Sequence, residues 1–120
     1  MQGRLNEAWE EARSYRGPEP YYVLFAVGSF ALSSLSHNKT VDPEQRAEDI
    51  EVGLQALTMA MAARSSSLAA PYLKSQLLRE KVKLTSDPAA RQLLLDEIGD
   101  LEKLLADLQA AGQAPKSPQK

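Results

Sequence analysis

The stretch "YYVLFAVGSFALSSLSHN", Tyr21 to Asn38, carries no charged residue from Tyr21 through Ser36, in a chain that is 25% charged overall. A membrane anchor, a secretion signal, a buried core helix or a partner-facing helix would each explain such a run, and the choice decides the fold. Crossing a bilayer takes about 20 predominantly apolar residues, and this run is interrupted by Gly28, Ser29, Ser33, Ser34 and Ser36. The preceding segment, "MQGRLNEAWEEARSYRGPEP", sets Arg4, Arg13 and Arg16 against Glu7, Glu10, Glu11 and Glu19. A secretory leader begins basic, and this segment is acidic on balance. The membrane readings fall away, and a helix inside a folded domain is expected.

At about 100° per residue, Tyr21, Leu24, Phe25, Gly28, Ala31, Leu32 and Leu35 share one face of that helix. Val23, Val27 and Phe30 lie on the opposite side, with a strip of Ala26, Ser29, Ser33 and Ser36 beside them. A helix apolar on two faces must be covered on both. The small residues of the strip are expected to admit a neighbouring helix closely, their hydroxyls bonding back to carbonyls of the preceding turn. The expectation is a central helix with Phe25, Leu32 and Phe30 inaccessible in the assembled protein. If the chain's own helices leave the second face open, Val23, Val27 and Phe30 become a protein interface.

Outward from this stretch, the rest of the chain reads as helices separated by clear punctuation. "RGPEP" (Arg16 to Pro20), "NKTVDP" (Asn38 to Pro43) and "TSDP" (Thr85 to Pro88) are turn-like. Asp42-Pro43 and Asp87-Pro88 are helix starts: Asp accepts bonds from free N–H groups, and Pro at the first helical position loses none. Gln45 stands where a capping box with Asp42 would place it. Helices are expected near Arg4 to Tyr15, over the opening stretch, from Pro43, over about Pro71 to Leu84, and from Pro88 to about Ala111. Leu5, Ala8, Trp9 and Ala12 mark the first helix's apolar stripe, and Ala47, Ile50, Leu54, Leu57 and Met61 the third's. "RSSSLAAP" reads as a break or a kink between the third and fourth, and Gly112 as the residue just past the end of the fifth. The fold class is all-α, a compact bundle of about five helices over residues 1–112, with a disordered tail over 113–120.

Composition narrows the function. A chain of 120 residues is a single domain by length, and its net charge of −2 predicts no strong global attraction to nucleic acid or anionic membranes. The chain has no Cys, which suits a reducing compartment and an expected cytoplasmic location. Its single His37 rules out a multi-histidine metal site within one chain. Glu44, Glu48 and Glu51, with Asp49 beside them, form one acidic group; Asp96, Glu97 and Asp100 form another. Both flank apolar stripes rather than occupying them, so solvated helix faces are expected instead of metal ligands. Ser65, Ser66 and Ser67 have no glycine elbow around them and no base other than His37. The glycines are scattered singly, so no phosphate loop exists. The balance falls against an enzyme, and no cofactor is implied.

Two further features bear on partners. Leu94, Ile98, Leu101, Leu105 and Leu108 are spaced 4-3-4-3, as in a coiled-coil seam, with Leu95 and Leu104 widening it. That seam serves either the chain's own bundle or a dimer. Arg64, Lys74, Arg79, Lys81 and Lys83 make a basic stripe that either pairs with the acidic fifth helix or tracks a phosphate backbone. The reading is a non-catalytic protein–protein interaction module, an oligomerising or adaptor subunit, with protein subunits as partners (copies of itself or a larger complex). The alternatives are a nucleoprotein subunit using the basic helix and a metal-dependent enzyme assembled by dimerisation. No membrane is expected as a partner.

Overall fold

The structure, a computed structural model, describes residues 2–17, 19–37 and 42–113. They form helices α1 (Gln2–Arg13), α2 (Pro20–His37), α3 (Pro43–Ala63), α4 (Ala69–Leu84) and α5 (Pro88–Gln113), with no strand among them. None of the helices is long and apolar enough to cross a membrane. The all-α expectation holds, and so do both Asp-Pro starts. The expected tail lies outside the described residues from 114 onward, and Gly112 falls inside the last turn of α5 rather than after it.

The helix ends show which local signals were used. Asp87 accepts a bond from the Ala90 N–H at 2.8 Å through Oδ2, a side-chain cap on the start of α5. Asp42 makes no such bond. Gln45 donates instead to Asp49 Oδ1 at 3.0 Å, so the expected capping box is absent. That bond serves Asp49, which is buried rather than on a solvated face. Between α3 and α4 the chain breaks rather than kinks. Ser67 Oγ accepts the Ala70 N–H at 3.3 Å and lies 2.6 Å from the Tyr21 hydroxyl, tying the start of α4 to the start of α2.

Packing proceeds from α2 on α3 to α3 on α4 to α4 on α5, with α1 lying across α2 and α3. The molecule is 22 Å deep at its thinnest, about two helix diameters. Leu5, Trp9 and Ala12 of α1 meet Leu24, Ala31 and Leu35 of α2, Ile50 and Leu57 of α3, and Leu77 and Leu78 of α4 in one core. Ala47, expected on the α3 stripe, faces outward. Helix α3 is as central as α2: its "ALTMAMAA" run puts Ala56, Leu57 and Ala60 at 0% exposure.

The close approach of α2 to α3 does not use Ala26, Ser29 or Ser33 of the strip, and Ser36, its last member, lies outside the described side chains. Ala26, Ser29 and Ser33 are exposed. Gly28 and Gly53 make the contact instead. A Cβ at Gly28 would overlap the Leu57 side chain, and one at Gly53 would stand 2.8 Å from Ala31 Cβ and 2.7 Å from Leu77 Cδ1. The small residues that matter sit on the core face, because that is the face on which another backbone arrives.

Candidate protein-interaction groove

Helix α1 buries Leu5, Trp9 and Ala12, but it covers the second face of α2 only in part. Val27 is buried, Val23 is half-buried, and Phe30 keeps 37% of its surface exposed. Between the two helices runs a groove of about 430 Å³, walled by Ala8, Glu11, Ala12 and Tyr15 of α1 and by Val23, Ala26, Val27 and Phe30 of α2. Alanines keep the floor low, Tyr15 and Phe30 supply aromatic surface, and Glu11 is the one charged wall residue. The exposed Ser29 and Ser33 extend the uncharged face of α2 beyond the groove.

Two other grooves differ in kind. One of about 540 Å³ lies between α4 and α5, lined by Leu68, Tyr72 and Leu105 among others, and the Arg79–Glu102 ion pair belongs to its wall. Another of about 440 Å³ runs between α3 and α5 over α4, where Met59 and Leu94 sit among the Lys74–Glu97 and Lys81–Glu51 pairs. Those ion pairs tie the walls together. The α1–α2 groove has none across it among the described residues.

The seam on α5 faces its own chain. Ile98 and Leu101 are buried, Leu94, Leu105 and Leu108 are half-buried, and α5 packs on α4 alone. These leucines are placed for folding first, so as dimer-interface candidates Ile98 and Leu101 are already covered. Leu95, expected to widen the seam, is 46% exposed, and Leu93, outside it, is 70% exposed.

The basic stripe is neutralised within the chain. Lys74 meets Glu97 at 3.4 Å, Lys81 meets Glu51 at 2.5 Å, and Lys83 meets Glu80 at 3.1 Å. Arg79 pairs with Glu102. The expected pairing of α4 with α5 accounts for Lys74 and Arg79, whereas Lys81 reaches α3 instead. Arg64 bonds Glu19 at 2.6 Å and the Tyr22 hydroxyl at 3.1 Å, with its Cζ 4.7 Å and 4.9 Å from the rings of Tyr21 and Tyr22. The Tyr22 bond is the main cause that raises the Arg64 pKa above its ordinary value. A phosphate backbone would have to displace five acidic partners to use this set.

No group of three His, Cys, Asp or Glu side chains among the described residues is arranged to hold a metal ion. Ser67 is engaged structurally with Tyr21 and the α4 N-terminus. Among the described residues, the helical bundle thus carries an apolar groove between α1 and α2 that no ion pair crosses. No protein-family profile, curated protein or solved structure matches the chain.

On the α2 side, the groove is lined by Val23, Val27 and Phe30 of the expected second face and by Ala26 of the small-residue strip. Ala8, Ala12 and Tyr15 read as members of the first helix's apolar stripe, and nothing in the sequence marks Glu11 as their neighbour in a groove. Periodicity groups residues by face; it does not say how far a neighbouring helix leans away.

Proposed function

We propose that this chain is a non-catalytic protein–protein interaction module, a small adaptor or oligomerising subunit of a larger complex, and that the α1–α2 groove receives its partner. The observation that carries this reading is the open position of Phe30 beside Val23 and Ala26, on a helix that has no charge from Tyr21 through Ser36. Apolar grooves lined by small and aromatic side chains accept the apolar face of a partner helix. Aromatic residues in such settings are the usual anchors of an interface.

The test is site-specific photo-crosslinking in the native cell, with a photoreactive phenylalanine analogue at position 30 and, as a control, at exposed Gln92. A discrete adduct from position 30 alone supports the reading. Equal labelling from both positions, or none from position 30, overturns it.

A further inference from the structure

The rim of the groove carries a charge pattern that selects among partners. Glu7 and Glu11 are exposed one helical turn apart on α1, and Glu11 lines the groove. Neither has an ion-pair partner among the described residues, whereas Glu10 is held by Arg13, Glu19 by Arg64, Glu51 by Lys81 and Glu97 by Lys74. The facing wall of α2 contributes no charge. Arg16, the nearest described cation beyond the end of α1, donates to the Tyr15 carbonyl at 3.3 Å.

We infer, building on the interaction reading above, that the groove takes an amphipathic helix of another protein whose apolar stripe is flanked by Lys or Arg. The stripe would lie on Val23, Ala26 and Phe30, and the basic flank would meet Glu7 and Glu11. A second copy of this chain is a poor occupant on two counts. Symmetric pairing through this face would bring Glu7 and Glu11 of both copies into one interface with no cation lining the groove to meet them, and such juxtaposed like charges are costly. Nor does any helix here offer two unpaired described cations: the α4 set is ion-paired, Arg13 is held by Glu10 and Arg46 by Glu80. Arg91 of α5 is bonded to the Val82 and Thr85 carbonyls.

The probes are two designed helical peptides sharing one leucine stripe, one flanked by Lys and the other by Glu, titrated against the full chain at low and high salt. At low salt the Lys peptide should bind at least about tenfold more tightly, and the gap should narrow as salt screens the rim. The Glu7→Lys/Glu11→Lys double variant, changed only at exposed positions, should reverse the preference. Equal affinity for both peptides, lost together in Phe30→Asp, overturns the charge assignment and leaves the interaction groove standing. Absence of binding by either peptide overturns both. Preference for the Lys peptide that survives the double variant overturns the assignment to Glu7 and Glu11.

Discussion

Gly53 of α3 faces Ala31 of α2 so closely that a Cβ on Gly53 would stand 2.8 Å from the Ala31 Cβ. No rotamer change relieves that overlap, because Cβ position follows from the backbone. Gly53→Ala should therefore destabilise the fold: overpacking a core costs about 1–3 kcal/mol, against a helix-propensity gain of about 1 kcal/mol. Gly99→Ala is the control. It lies inside α5 with nothing within 4 Å of the added carbon, so only the propensity gain of about 1 kcal/mol applies. Urea unfolding of both variants should move the midpoint in opposite directions.

Phe30 separates packing from recognition. Emptying a fully buried aromatic site costs about 3–5 kcal/mol, but Phe30 is 37% exposed. Phe30→Ala should cost less than that range, and Phe30→Asp should leave thermal unfolding cooperative while removing peptide binding. Calorimetric unfolding and peptide titration on the same samples measure the two effects. A stability loss of the full buried-site size would mean that Phe30 is a core residue and the groove is closed in solution.

Arg79 and Glu102 offer a check on the basic stripe. Their side chains are 47% and 56% exposed, and exposed pairs contribute only about 0.2–1 kcal/mol. A double-mutant cycle of Arg79→Ala and Glu102→Ala should give a coupling in that range that shrinks with salt. Single-stranded oligonucleotide binding at moderate salt should be absent from the parent protein. Appearance of tight, salt-sensitive binding, lost in Lys81→Glu/Lys83→Glu, would restore the phosphate-backbone reading.

Much of this was legible in the sequence, and the misses share a cause. The Asp-Pro starts at Pro43 and Pro88 were readable because they depend on neighbouring residues alone. Most of the buried face of α2 was readable from its period: Tyr21, Leu24, Gly28, Ala31 and Leu35 are buried, whereas Phe25 and Leu32, expected to be inaccessible on the same face, are half-buried. The serine strip was misassigned because periodicity sorts residues into faces without saying which face meets a backbone. For the same reason Lys81 finds Glu51 of α3 rather than a partner on α5: interhelical register is a tertiary property. Phe30, expected to be inaccessible, keeps 37% of its surface exposed and Val23 is half-buried, because how much of the second face of α2 is covered depends on where α1 packs.

Among the described residues, helix α5 packs against α4 and no other helix. Its attachment depends on a short list of buried contacts, chiefly Ile98 at 4% and Leu101 at 6% exposure. Leu101→Lys replaces one of these with a charge that must either be buried or pull the helix away. Large-to-small changes at such sites cost about 2–5 kcal/mol, and an unpaired charge adds to that. Elements with few buried contacts open independently of the rest. Hydrogen exchange in Leu101→Lys should therefore accelerate across α5 first, while α2 and α3 keep most of their protection. Leu93→Lys tests the other face of the same helix. Leu93 is 70% exposed, so this change should alter neither exchange nor the mass measured by light scattering. If Leu93→Lys instead dissociates a dimer present in the parent protein, α5 has a second role at its outer face, and the seam toward α4 serves folding alone.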